Sequence, residues 1–190
     1  MHCIWGVDFG AKRSGNTAIA VCADNEVSFH QAEKGKDADC WLENCLAEFP
    51  PTLIAIDAPL SLPAGWCGGK GDLFYRECDK ELKAMSPLFL GGLTARAVNF
   101  ARKLKKMKIE CIETYPKAFV NLLANGHCPE PDSDLSPVFE PLYGEVEVSL
   151  VDGVSNEHQV DALMALVVAL RYERNMAKSY GRKDEGLIWV

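Results

Sequence analysis

The sequence predicts an α/β fold: a mixed five-stranded sheet flanked by helices, with a helical insertion after the fourth strand. Three observations carry this expectation. Residues 3–8, CIWGVD, form an apolar run ending in Asp8, and a second apolar run at 17–23 follows a polar turn, the pattern of a hairpin. Residues 26–32, EVSFHQA, alternate Val27 and Phe29 with polar neighbours and read as a third strand. After a helical stretch, TLIAIDA at 52–58 is apolar up to Asp57, as expected of a parallel strand covered on both faces.

The remaining elements follow in order. Asp24-Asn25 makes the tight turn between the second and third strands. Over residues 37–49, Trp41, Leu42, Cys45, Leu46 and Phe49 recur at helical spacing, and Pro50-Pro51 ends the helix. Residues 58–71 are a Pro/Gly-rich loop, 72–85 and 93–107 are predicted helices, and KIECIET at 108–114 is a strand ending at Glu113. Pro116 suits the first turn of the helix that packs through Phe119, Leu122 and Leu123. Residues 126–154 form an acidic surface excursion with a short strand around 146–151. Ser155 or Asn156 caps a last long helix that runs to about Met176, with Val160, Leu163, Met164, Val167 and Val168 inward. GLIWV at 186–190 is read as an edge strand. No repeat divides the chain, so 1–190 is taken as one domain, with 58–108 as its helical insertion.

Apolar content of 48% with 25% charged residues is that of a globular protein. No apolar run approaches the roughly 18 residues that span a bilayer, and no signal-like segment opens the sequence, so no membrane role and a cytoplasmic location are expected. The eight cysteines lack metal-ligand spacing, and several fall in strand-like runs, which favours free thiols. The net charge of −7 is unevenly spread. Residues 118–170 contain no Lys or Arg and nine acids, leaving the rest slightly positive. Arg96, Arg102, Lys103, Lys105, Lys106 and Lys108 lie in a stretch without an acid. That stretch is either a solvated helix face or a phosphate-contacting patch.

Three carboxylates stand at predicted strand ends: Asp8, Asp57 and Glu113. Burying an unpaired charge is costly, and ligand sites in open α/β sheets lie at the carboxyl ends of strands. Convergent acids repel unless a cation sits among them, and an oxygen-only ligand set favours Mg²⁺ or Mn²⁺ over zinc. In the last helix His158 and Asp161 are three apart and share a face, adding a further ligand and a candidate orienting or proton-shuttling group. Each strand-end acid taken alone is more readily a cap or salt-bridge partner; the three at equivalent places favour a metal site. Arg76 is either paired with Asp79, three residues on, or gripping a substrate phosphate. Lys12, in the turn after the first strand, and Lys70, in a glycine-rich rim without the phosphate-loop pattern, are further candidate substrate contacts.

IAIDAP at 54–59, YRECDKEL at 75–82, ETYPKAF at 113–119 and HQVDALMAL at 158–166 resemble, in order, the motifs of the domain of unknown function family 429. That family is a set of predicted nucleases of the RNase H-like fold. The His-x-x-Asp pair opening the last helix also resembles the RuvC-type Holliday-junction resolvases. By that resemblance Asp8, Asp57 and Asp161 fall on metal-ligand positions and His158 on the partner position, while Glu113 enters from the family motif. The resemblance implies a Mg²⁺- or Mn²⁺-dependent nuclease with nucleic acid as partner. Two alternatives stay open: a non-catalytic binding module on the same fold, and an actin or sugar-kinase-like nucleotide binder. The second requires two related lobes, and the first motif does not recur.

Overall fold

The computed structural model describes residues 3–123, 130, 149–151 and 153–190. In chain order the elements are β1 (Cys3–Asp8), β2 (Ala18–Ala23), β3 (Glu26–Gln31), α1 (Ala38–Glu48) and β4 (Leu53–Asp57). The insertion follows as α2 (Glu77–Leu82), α3 (Pro87–Leu90) and α4 (Gly92–Lys106). The chain continues through β5 (Glu110–Thr114), α5 (Pro116–Leu123), β6 (Ser149–Leu150), α6 (Glu157–Glu173), β7 (Ser179–Arg182) and β8 (Gly186–Trp189).

The strands form one mixed sheet in the order β6-β3-β2-β1-β4-β5-β8-β7. β1, β4, β5 and β8 run parallel, while β2 and β7 run antiparallel to their neighbours. Among the described residues the sheet therefore has eight strands, not the expected five. GLIWV is not an edge: β8 lies between β5 and β7, and β7 covers it. The SYGR sequence of β7 carries little apolar signal, because it needs only to pair along one side of β8. The predicted excursion at 126–154 falls largely outside the described residues. Of it, β6 pairs Ser149 and Leu150 with Glu26 and Val27.

Local chemistry explains the boundaries. Asp24 and Asn25 both adopt positive φ, 50° and 68°, which suits a two-residue hairpin turn matched to strand twist. Asp37 caps α1 by accepting from the Asp39 and Cys40 amides, and Asn156 caps α6 by accepting from Gln159. The helix expected over 72–85 is confined to Glu77–Leu82, since Lys83 enters the left-handed region at φ 54° and Ser86 then caps a separate short helix.

Two apolar cores flank the sheet. Trp5, Val7, Ile19, Ile54 and Ile56 pack beneath α1 and α4 with Leu42, Leu46, Phe100 and Leu104. On the other face Ile4, Ala20, Ala55 and Ile112 pack against α6, in which every residue from Ala162 to Leu170 is buried. A helix apolar on all sides belongs inside a protein. Its contact with β1 is made at Gly6, where an added Cβ would lie 2.0 Å from Leu166 N and 2.2 Å from Ala162 O. Glycine lets the backbones of helix and strand touch, which brings the first turn of α6 over the end of β1. No helix among the described residues is long and apolar enough to cross a membrane.

Candidate carboxylate site

Asp8 and Asp57 end adjacent parallel strands and are register partners across the β1–β4 pairing. Register partners project to the same side of a sheet. Both follow residues of the α6-facing core, Gly6 and Ala55, at a spacing of two. The first turns of α6 bring His158 and Asp161 to the same cleft, of about 490 Å³, which Asp8, Asp57, Asn16 and Tyr115 also line. His158 Nδ1 lies 2.8 Å from Asp8 Oδ2. An ionised carboxylate only accepts, so in that state the proton sits on Nδ1 and Nε2 is left as the free ring nitrogen.

No hydrogen bond or ion pair among the described residues reaches the carboxylates of Asp57 or Asp161. Their electrostatics reflect this. Burial, then the charges of Asp8, Asp161 and Glu113, push the Asp57 carboxyl well above its usual range. Burial raises Asp8 to about 6 against the opposing His158 bond, with Asp161 adding repulsion. Asp161 is raised as well, by burial first, with His158 opposing. Among the described residues Asp57 and Asp161 thus lack a hydrogen-bond partner, while Asp8 has His158.

Glu113 is placed differently. Its β4 partner is Ile56, so it stands one residue short of the Asp8–Asp57 level and belongs to the opposite face of the sheet. There both oxygens are occupied: Oε2 accepts from Arg76 Nη1 at 2.7 Å and from the Leu60 amide at 2.8 Å, and Oε1 accepts from Arg76 Nη2 at 2.6 Å. Glu113 thus lines the same cleft as the three aspartates, but with both oxygens held by Arg76.

Arg76 does not offer a phosphate its fork. Nε and Nη2 bond Asp79 at 3.1 and 2.7 Å, Nη1 bonds Ser61 Oγ at 2.8 Å, and the remaining bonds go to Glu113. The side chain is buried, and although burial works to lower its pKa, its bonds to Glu113 and Asp79 reverse that and keep it cationic. Of the two alternatives for Arg76, the structure contains the internal pair.

Lys12 is engaged with Asp37 at 3.0 Å and Asp39 at 3.8 Å, and neither it nor the exposed Lys70 lines the cleft. The basic stretch is partly committed too. Arg96 grips Asp39, donates to the Gly10 carbonyl at 3.0 Å and stacks over Phe9, while Lys103 pairs with Glu43. Arg102, Lys105, Lys106 and Lys108 carry no ion pair among the described residues. Seven cysteines are free thiols, and Cys128 lies outside the described residues.

Sequence reasoning passed over Asn16, Thr114 and Tyr115, which line the cleft. Thr114, not Glu113, occupies the β5 level next to Asp57. Tyr115 stood in the sequence only as part of the ETYPKAF motif.

Among the described residues no three His, Cys, Asp or Glu side chains stand close enough to hold a metal ion as placed. The donor chemistry of the cleft nonetheless fits a hard divalent cation: three aspartates, two of them without a hydrogen-bond partner among the described residues, all with raised pKa.

No family model matches this chain, and no curated protein matches it in sequence. Solved structures do. The Thermus thermophilus RuvC structure superposes with a TM-score of 0.51 at 18% identity, over 93% of this chain and 98% of that one. T. thermophilus RuvC in complex with Holliday junction substrate gives a TM-score of 0.47 at 17% identity, over 94% and 99% of the two chains. The yeast mitochondrial Holliday junction resolvase Ydc2 gives 0.45 at 12%, over 90% and 81%. At these identities the likeness is one of fold: the chain has a mixed α/β architecture, a multistranded sheet flanked by helices, that resembles that of RuvC.

Proposed function

We propose that this protein is a nuclease that hydrolyses phosphodiester bonds in nucleic acid with Mg²⁺ or Mn²⁺, of the kind the motifs resembling family 429 imply. The observation that carries the reading is the register pairing of Asp8 with Asp57 at the ends of parallel strands, faced by Asp161 and His158 on α6. Three acids in one cleft, two of them without a hydrogen-bond partner among the described residues, are costly to keep unless a cation completes them. The RuvC-like fold supports the same reading.

Asp8, Asp57 and Asp161 would hold the cation. Such a cation would supply charge neutralisation at the phosphodiester and would lower the pKa of a water. His158 fixes the orientation of Asp8 through Nδ1 and presents Nε2 to take or return a proton. Glu113 and Arg76 position the chain after β4, because the Glu113 carboxylate holds the Leu60 amide three residues beyond Asp57. Arg102, Lys105, Lys106 and Lys108 are left as phosphate contacts remote from the chemistry.

Cleavage assays on single-stranded, duplex, hybrid and branched substrates, with and without Mn²⁺, test the proposal. Metal-dependent cleavage that Asp57→Asn abolishes is the expected result. Binding without cleavage of any substrate would instead make the chain a non-catalytic module on this fold, and tight ATP binding without cleavage would make it a nucleotide binder.

A further inference from the structure

Asp57, Asp8, Ala18 and Gln31 stand at one level of the sheet, each the register partner of the next across β4, β1, β2 and β3. Register partners share a face, so Gln31 projects to the same side as the two aspartates. Between Asp8 and Gln31 lies the fully buried Ala18, small enough to let the start of α6 cross the row. The helix meets this row at two points. His158 bonds Asp8, and Asn156 Nδ2 donates to Gln31 Oε1 at 2.8 Å.

The Gln31 amide is used at both ends. Its Nε2 donates to the Gly15 carbonyl at 2.8 Å. Gly15 precedes Asn16, which lines the carboxylate cleft with Phe9, Gly10 and Ala11 of the same β1–β2 loop. Asn156 is committed twice as well: Oδ1 caps the Gln159 amide at 3.2 Å while Nδ2 reaches Gln31. An amide carries its acceptor and its donors on opposite sides, so neither residue can flip without giving up a bond. One side chain thereby ties the rim of the cleft to the N-cap of α6.

The two functional groups on α6 depend on this tie unequally. The first amides of a helix have no partner within it, so its opening turn is held by its cap. His158 lies in that turn, half-buried, two residues after Asn156. Asp161 stands one turn further on, between buried Val160 and Ala162, where the Ala162 carbonyl is pressed against Gly6. Loosening the cap therefore displaces His158 while Asp161 stays with the helix body.

We infer that Gln31 is a positioning residue for the carboxylate cleft: through Asn156 and Gly15 it holds His158 on Asp8 and fixes the facing β1–β2 loop. It touches no reacting atom and acts through His158. The inference rests on the nuclease reading for what His158 does in the cleft.

Amide hydrogen exchange, followed by NMR on the metal-free full chain, reads the positioning without any activity. Gln31→Met should speed exchange at Asn16, Gln159 and Val160 while residues 162–170 keep wild-type rates. Mn²⁺-dependent cleavage should fall roughly tenfold in kcat, with KM and Mn²⁺ affinity nearly unchanged. In a His158→Gln background Gln31→Met should cause no further fall, whereas a merely structural residue would lower activity equally in both backgrounds. Asn156→Asp is the second variant: it keeps the cap acceptor, and Asp caps as well as Asn, but it has no donor for Gln31. It should match the wild type in thermal stability and still speed exchange at Asn16. Wild-type exchange in either variant overturns the inference. Independent losses from Gln31→Met and His158→Gln, or faster exchange spread through 162–170, overturn it too. Absence of cleavage by the wild type, with the expected exchange in both variants, removes the nuclease reading alone; wild-type cleavage in Gln31→Met removes the positioning role alone.

Discussion

The Arg76 guanidinium holds both oxygens of Glu113, at 2.7 and 2.6 Å, inside the protein and away from solvent. The same group bonds Asp79 and Ser61, so one cation joins β5, the loop after β4 and the start of α2. A buried pair broken on one side leaves an uncompensated charge. Arg76→Met should therefore destabilise the protein by about 3–5 kcal/mol in denaturant unfolding. Glu113→Gln keeps most of the hydrogen bonding and should cost less. If Glu113 positions rather than ligates, Glu113→Gln should bind Mn²⁺ within a few-fold of the wild type, as measured by calorimetry. Loss of binding as complete as in Asp57→Asn would return Glu113 to the ligand set.

The unshared charges of the cleft make a stability prediction. Asp8 has a folded pKa raised to about 6 from an ordinary 3.8, so its contribution to stability is full below the ordinary value and is lost as pH rises through about 6. Without divalent ions, thermal stability should fall across that window, and Asp8→Asn should flatten the fall. Asp57 is shifted in the same direction, so Asp57→Asn should be more heat-stable than the wild type at neutral pH while failing to bind Mn²⁺. A stability profile in Asp8→Asn that still falls over the same window would refute this account of the cleft.

Protons and a cation compete for the same oxygens. Thermal stabilisation by Mn²⁺ should therefore be weak at pH 5 and grow as pH rises through about 6, where Asp8 ionises. Melting curves at matched ion concentrations across pH 5–8 would show it. Stabilisation independent of pH would place the ion elsewhere.

Gly6 controls the distance between α6 and the sheet. A Cβ there would meet backbone atoms of Ala162 and Leu166, which cannot rotate aside. Gly6→Ala should cost more than about 2 kcal/mol and lower Mn²⁺ affinity together with stability, because Asp161 and His158 ride on the displaced helix. A variant as stable as the wild type would show that the helix has room to shift.

His158 touches Asp8 directly, and outer-shell partners of metal ligands commonly tune affinity or rate by 10- to 100-fold. His158→Gln keeps a hydrogen-bonding group but has no titrating nitrogen. It should bind Mn²⁺ nearly as well as the wild type while cleavage falls by roughly that factor. Equal losses in both measurements would make His158 purely an orienting group.

Much of this protein was legible in its amino-acid order. The apolar runs and their turn residues announced β1 to β5, and periodic spacing announced α1, α4, α5 and α6, because local burial patterns depend on which faces are covered. The aspartates ending β1 and β4, and the His158–Asp161 spacing, pointed to one cleft for the same reason. Register was not legible. ECIET ends in an acid just as IAID does, and only the pairing of Glu113 with Ile56 puts it one residue short, on the opposite face, in the grip of Arg76. The meaning of Arg76 was equally hidden, since a buried cation and a substrate-gripping one look alike in sequence. Long-range contact decides between them: where Glu113, Asp79 and Ser61 converge, the guanidinium has no hydrogen-bonding capacity left for a ligand.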